Sequence, residues 1–69
     1  MQEYKAVVKQ DGKWWIGWIE EIPGVNCQER SKEALLQSLK ITLQEVIEMN
    51  RQEAMESAVG DFYEESIAL

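Results

Sequence analysis

The chain has 69 residues, 13 of them acidic and 7 basic, which gives a formal net charge of −6. Such a chain forms one small domain over residues 1–69 and buries only about 60% of its unfolded surface, so we expect association to supplement its core. One cysteine excludes an intrachain disulfide, and the lack of histidine excludes a Cys/His zinc site. We predict no cofactor.

The acidic balance opposes direct binding of nucleic acid, because carboxylates repel phosphates, and favours a basic partner. Surface carboxylates can also serve solubility alone, so charge leaves both interpretations open. The start MQEYKAVV lacks the basic and apolar regions of a secretory signal, and no apolar run approaches the roughly 20 residues that span a membrane. We therefore predict a cytoplasmic, soluble protein.

A hairpin is predicted at the start of the chain. Apolar and polar residues alternate from Tyr4 to Lys9, and Asp11-Gly12 follows, a dipeptide typical of a two-residue type I′ turn. With that loop, Gln10 faces Lys13, Val8 faces Trp15, Ala6 faces Gly17 and Tyr4 faces Ile19. The other face then pairs Lys9 with Trp14, Val7 with Ile16 and Lys5 with Trp18.

This register predicts two faces with different roles. The first contains Tyr4, Ala6, Val8, Trp15, Gly17 and Ile19. Ala6 and Gly17 form a shallow saddle there, into which a helix can settle. The second face is apolar in its middle, with Lys5 and Lys9 able to lie over the indoles. Because one helix cannot cover both faces, we expect the second face to meet another chain.

A third strand and a long helix are predicted next. Ile22-Pro23-Gly24 ends the aromatic strand, and Val25 to Glu29 reads as a short strand. Ser31 is a suitable N-cap, with Glu33 in the first turn. The apolar helix stripe predicted to pack on the saddle comprises Leu35, Leu36, Leu39, Leu43, Val46 and Ile47.

The second half of the helix is harder to place. A helix from Ser31 to Ala58 would be about 42 Å long, so we expect a kink near Met49 to Arg51 or two separate helices. Gly60 is a natural residue just after a helix end, and Phe62 to Leu69 reads as a last strand with Tyr63, Ile67 and Leu69 on one face. The predicted fold is α+β: a three-stranded antiparallel sheet, a helix on one face and a C-terminal strand, in the order β-β-β-α-β.

Catalysis is not predicted. Glu20 and Glu21 are adjacent and point to opposite faces of a strand, so they do not converge on one metal ion or bond unless the Ile22-Pro23 bend rotates one of them. No glycine-rich phosphate loop, nucleophile elbow or histidine is present. No basic residue is spaced so that it would predictably activate the Cys27 thiol as a nucleophile. A role as a small apolar residue is therefore favoured for Cys27.

The tryptophans point to a protein interface. Trp15 belongs to the helix-facing set, whereas Trp14 and Trp18 either contact a partner or lie under the chain's own terminal segment. Ile41 lies on the polar side of the helix. It either contacts a partner or is an isolated apolar residue on the surface. The predicted oligomer or partner interface comprises Trp14, Ile16, Trp18, Lys5, Glu20, Glu21 and Ile41.

The first 50 residues also resemble a known family. The segments that carry the likeness are Tyr4-x-Ala6-Val7-Val8, Asp11-Gly12, Trp14-Trp15-Ile16-Gly17-Trp18, Ile22-Pro23-Gly24-Val25, Gln28 and Glu33-Ala34-Leu35. Together they resemble the N-terminal domain of HicB-type antitoxins. The helix start differs, because Arg30-Ser31 replaces the usual threonine.

The resemblance implies a partial RNase H-like fold without nuclease activity. It implies a partner, a HicA-type toxin, which is a small basic RNA-cleaving protein that the antitoxin neutralises by occlusion; acidic and basic partners would be steered together. Many family members add a DNA-binding C-terminal domain, and we expect none here. We expect the antitoxin domain to form a homodimer or higher oligomer. The alternative is an orphan HicB-like oligomeric module that binds another protein or a small ligand.

Overall fold

The computed structural model describes residues 3–69 and shows an α+β fold, a three-stranded antiparallel sheet followed by one long helix. The strands lie side by side in the order β1-β2-β3. The elements in chain order are β1 (Ala6–Asp11), β2 (Trp14–Ile19), β3 (Asn26–Glu29) and α1 (Lys32–Glu56). The first four elements of the predicted order β-β-β-α-β are confirmed.

The turn between β1 and β2 lies one residue later than predicted. Asp11 pairs with Trp14, so the two-residue loop is Gly12-Lys13. Gly12 has φ 62°, and no non-glycine residue among residues 3–69 has positive φ. Glycine at the first central position is typical of a type II′ turn, which needs positive φ only there, whereas the predicted loop required it at Asp11 too. The type I′ prediction is wrong for this reason.

The predicted strand register is wrong as a consequence. Gly17 lies opposite Val8, and Ala6 lies opposite Ile19, so Ala6 and Gly17 do not form a facing pair. Each β1 residue pairs with a β2 residue two positions further along the chain than predicted. Because side chains alternate along a strand, a shift of two preserves which residues share a face.

Gly17 is the point where the helix comes closest to the sheet. A Cβ atom there would lie 3.2 Å from Leu35 Cδ2, 3.2 Å from Leu39 Cδ1 and 2.9 Å from the Val7 carbonyl oxygen. Only glycine fits without displacing these atoms. Trp15, Gly17 and Ile19 therefore lie on the side of β2 that α1 covers.

The core is small and lies between α1 and the sheet. Its four buried apolar residues are Ile19, Val25, Leu35 and Leu39. The partly buried residues that pack against them are Tyr4, Ala6, Val8, Trp15, Ile22, Cys27, Leu43 and Val46. Leu36, predicted as core, is 44% exposed, and Ile47 is half-buried outside this cluster. The helix side that faces the sheet is centred on Leu35, Leu39 and Val46, and Leu36 points about 80° away from that centre.

The helix is continuous from Lys32 to Glu56, so the alternative of two helices is wrong. The Ser31 hydroxyl accepts a hydrogen bond from the Ala34 amide at 3.1 Å, as expected of an N-cap. At the other end the cap is Ser57, whose amide donates to the Glu53 carbonyl, so Gly60 lies beyond the position predicted for it. Asn50 is tolerated because one asparagine costs a helix less than about 0.7 kcal/mol.

The predicted C-terminal strand is absent from the described residues. The chain after α1 forms no strand, and Tyr63, Ile67 and Leu69 are exposed. A strand exists only where an edge accepts its hydrogen bonds, and this segment begins at the far end of a helix about 37 Å long, away from the sheet. The fourth strand of the predicted order is therefore not formed by the single chain.

Candidate protein-binding surfaces

The outer face of the sheet is the side opposite α1. Since α1 covers the side of Gly17, the alternate residues of each strand lie on the outer face. These residues are Val7 and Lys9 on β1, Trp14, Ile16 and Trp18 on β2, and Asn26 and Gln28 on β3. No second helix exists within residues 3–69 to cover them.

Arg30 lies over one of the three tryptophans. The register that pairs Trp15 with Glu29 places Arg30 opposite Trp14. Its guanidinium carbon is 4.5 Å from the centre of the Trp14 ring, within the range of a cation–π contact. Lysines were predicted to lie over the indoles, but the actual register sets Lys9 opposite Ile16 instead of Trp14. The cation found over an indole is thus an arginine from the end of β3.

Trp18 is the most open aromatic residue of the sheet. Its side chain is 40% exposed, between Val7 on one neighbouring strand and Asn26 on the other. Ile16, one step along the same face, is half-buried between Lys9 and Gln28. A partly exposed tryptophan beside an aliphatic residue is a composition typical of interface centres.

Glu20 and Glu21 take different positions after β2. A carboxylate oxygen of Glu21 accepts a hydrogen bond from the Lys5 amide at 2.9 Å, and the Glu20 amide donates to the Lys5 carbonyl at 2.9 Å. Glu21 therefore helps to hold the start of β1, whereas the Glu20 side chain is exposed. The two carboxylates belong to a strand end and do not form a joint pocket.

Ile41 belongs to a different surface from the tryptophans. It is 47% exposed on α1, and α1 lies across the sheet from Trp14 and Trp18. Two neighbouring helix positions, Leu39 and Thr42, face the core or the sheet. The predicted interface set is thus divided between two layers of the molecule, and one flat partner surface does not contact all of it.

The acidic C-terminal region, residues 45–69, is the second surface. Residues 1–44 contain six acidic and six basic side chains, whereas residues 45–69 contain seven acidic side chains and one basic one, Arg51. The whole net charge of −6 therefore resides in residues 45–69. Arg51 is 3.5 Å from Glu48, and both side chains are more than half exposed.

Three of these carboxylates lie along one side of α1. Glu45, Glu53 and Glu56 fall within about 80° of one another around the helix axis, at 100° per residue. All three are exposed. Beyond Ile47, the positions that continue the sheet-facing side are Asn50 and Glu53, so the helix leaves the core as a polar, acidic projection.

An open cleft lies where the C-terminal segment folds back on α1. Its volume is about 300 Å³. It is lined by Arg51, Ala54, Met55, Ala58, Phe62, Tyr63 and Glu64. Its lining is mainly apolar, and Phe62 remains 48% exposed.

Several contacts were not foreseen from the sequence. Val25 is fully buried, and its carbonyl accepts from the Ile19 amide at 3.0 Å. Cys27 Sγ lies 3.6 Å from Thr42 Oγ1, and Ser38 donates to the Glu29 carboxylate at 2.7 Å. The alternation of β3 was the available signal, because it places Cys27 and Glu29 on one side of the strand.

Residues 3–69 include no cluster of three or more histidine, cysteine, aspartate or glutamate side chains able to hold a metal ion. In the same residues, no helix combines the length and the apolar character needed to cross a membrane. Comparison with protein-family models, with curated proteins and with solved structures found no significant match. The case for a function therefore depends on the chain's own residues.

Proposed function

We propose that this chain is an HicB-like antitoxin domain that binds a small, basic, RNA-cleaving toxin and neutralises it by occlusion. The observation that carries the proposal is the concentration of the entire net charge in residues 45–69, whose seven carboxylate side chains are all exposed. Charge needed only for solubility can be spread over the whole surface, whereas a carboxylate array on one side of a helix matches a basic surface.

The observed fold is consistent with this proposal. The order of three antiparallel strands and a helix agrees with the first four elements that the family resemblance implies. The Pro-Gly turn that carries part of the resemblance separates β2 from β3, and Val25 directly after it is buried. The resemblance thus involves residues that build the sheet and its core.

The mechanism we propose is electrostatic docking followed by coverage of the toxin's RNA-binding surface. A surface that holds RNA must attract phosphates, so it also attracts the carboxylates of Glu45, Glu53 and Glu56. Long-range attraction accelerates the encounter, and the helix then occupies the place of the RNA.

Co-expression with a small basic ribonuclease, sought among the genes beside this one, tests the proposal. We expect wild-type chain to relieve growth arrest, and the variant Glu45→Gln/Glu53→Gln/Glu56→Gln to relieve it poorly. We expect the toxin dissociation constant of that variant to rise about tenfold or more, with less dependence on salt.

A matched control changes the same charge in the neutral part of the chain. Glu3→Gln/Asp11→Asn/Glu33→Gln also removes three exposed carboxylates and should retain neutralisation. Equal loss in both variants would mean that only total charge matters. A gene without a small basic neighbour, or growth arrest that the wild-type chain does not relieve, would contradict the proposal.

The outer face of the sheet favours a second candidate, an orphan oligomeric module that binds another protein. Its centre contains Trp18 and Ile16, and Lys9 and Arg30 add positive charge beside them. This composition does not attract a basic toxin. If Trp18→Ala abolishes partner binding and the Glu45/Glu53/Glu56 variant does not, the module is the better description.

A further inference from the structure

The β1 strand is an open edge of the sheet. β1 lies at one end of the order β1-β2-β3, and the Lys5 carbonyl accepts from the Glu20 amide. Since hydrogen-bonded pairs alternate along antiparallel strands, Val7 and Lys9 direct their backbone groups towards β2. The amides and carbonyls of Ala6, Val8 and Gln10 then point outward, and no backbone hydrogen bond to them occurs within residues 3–69.

The C-terminal segment has the composition of a strand that lacks a sheet. Residues 62–69 alternate so that Tyr63, Ile67 and Leu69 share one face of an extended chain. In the structure Tyr63 is 91% and Ile67 85% exposed. Large apolar side chains that are this exposed to solvent in a small domain indicate a surface that another chain covers in an assembly.

Charge selects β1 over β3 as the edge that this segment fits. β1 has six residues, with Lys5 before it, Lys9 within it and Asp11 at its end next to the turn. β3 has only four residues and ends in Glu29, and the Arg30 that follows it lies over the Trp14 ring. The segment carries Asp61, Glu64 and Glu65. Lysines on an edge oppose pairing with an identical lysine-bearing edge and favour an acidic strand.

The segment and the edge remain apart within one chain. Phe62, Tyr63 and Glu64 line the cleft beside Arg51 and Met55, at the C-terminal end of α1. Among residues 3–69, neither the outward backbone groups of β1 nor the strand-like segment therefore has a strand partner. We propose that residues 62–69 of one copy add as a fourth strand to the β1 edge of a second copy.

The exchange is reciprocal in a twofold dimer, because each copy offers one segment and one edge. Backbone hydrogen bonds to Ala6, Val8 and Gln10 hold the added strand. Lys5 and Lys9 share the outer face of β1, and the added strand sets Glu65 on that face together with Tyr63, Ile67 and Leu69, whereas Glu64 points to the opposite face. This assembly is independent of any toxin, so its test does not depend on the proposed function.

Two charge-swapped variants test the pairing by sedimentation equilibrium. Wild-type chain should sediment at twice the chain mass of 8.0 kDa. Glu64→Lys/Glu65→Lys places cations against the lysine edge, and Lys5→Glu/Lys9→Glu places carboxylates against the acidic segment. Each variant alone should have a dimer dissociation constant at least about tenfold higher, because like charges then face each other across the interface.

An equimolar mixture of the two variants should recover the dimer. In the mixture the lysine segment of one variant meets the glutamate edge of the other, and the reverse pair is also complementary. Pairing of a segment with its own edge cannot produce this recovery. Glu53→Lys/Glu56→Lys, with the same change of charge on α1, is the matched control and should remain dimeric.

A chain shortened to end at Asp61 supplies a second measurement. It keeps α1 and its Ser57 cap, and it should sediment as a monomer. A monomeric wild type, a shortened chain that stays dimeric, or a mixture that stays monomeric would overturn the proposal. Loss of the dimer in Trp14→Ala/Trp18→Ala alone, with the shortened chain still dimeric, would place the interface on the outer face instead.

Discussion

The two parts of this chain differ in both packing and charge. Residues 1–44 are electrically balanced, and they contain all four buried core residues. Residues 45–69 contribute only Val46 to the packing around that core and carry the whole net charge. Stability therefore depends mainly on the first part, whereas the second part is free to serve association. Substitutions of the core residues should alter stability, and those of exposed residues, in the acidic region and on the β1 edge alike, should alter association.

The largest expected effect comes from a core residue of the first part. Leu39 is 2% exposed beside Gly17, so Leu39→Ala leaves a cavity and should lower the free energy of unfolding by about 2–5 kcal/mol. A domain of this size has a total of about 3–10 kcal/mol, so much of the population should unfold. Urea denaturation followed by circular dichroism measures the change.

Ile41→Ala is the matched control two positions along α1. Its side chain is 47% exposed, so the unfolding free energy of the isolated chain should change by no more than about 0.5 kcal/mol. Comparable losses in the two variants would show that Ile41 is also buried under the conditions of measurement, which would place a partner over the helix.

The two ends of α1 provide a comparison of intermediate size. Ser31→Ala removes the hydroxyl that accepts the Ala34 amide and should cost about 1 kcal/mol. Ser57→Ala removes a hydroxyl that donates to the Glu53 carbonyl at 2.9 Å, in a region without core contacts, and should cost less than half as much. Thermal or urea unfolding distinguishes them. A larger loss of unfolding free energy in Ser57→Ala than in Ser31→Ala would mean that the C-terminal end of α1 is packed against another part of the protein or against a second chain.

The smallest expected effect concerns the ion pair of the acidic region. Arg51 and Glu48 are 66% and 56% exposed and 3.5 Å apart, so Arg51→Gln should destabilise the fold by no more than about 0.5 kcal/mol. The difference should shrink as salt is added. A loss of more than about 1 kcal/mol, measured by urea denaturation at low salt, would break the distinction between the two parts.

The sequence predicted the sheet and the helix because their signals are local. Alternation marked β1 and β2, Pro23-Gly24 marked the break, and Ser31 marked the helix start. The turn was misplaced by one residue because Asp11-Gly12 and Gly12-Lys13 both offer a glycine, and only the backbone geometry decides which position needs positive φ.

The remaining errors have causes that lie outside local pattern. The C-terminal strand was predicted from alternation, but strand formation requires an available edge, and the single chain does not bring the two together. Leu36 was assigned to the core because it is apolar and lies at the border of the helical stripe. The interface set combined Ile41 with Trp18 because sequence alone does not show that the helix and the outer face lie on opposite sides.

The three tryptophans lie in three different environments, so the fluorescence of each one can report on a different surface of the molecule. Trp15 packs against the core, Trp14 lies beneath a guanidinium, and Trp18 is partly open to water. Indole emission shifts to the red with exposure to water, so single-tryptophan versions of the chain report separately on the helix layer, the end of β3 and the outer face. A partner that covers only one of these surfaces should shift the emission spectrum of the tryptophan on that surface and leave the other two spectra unchanged.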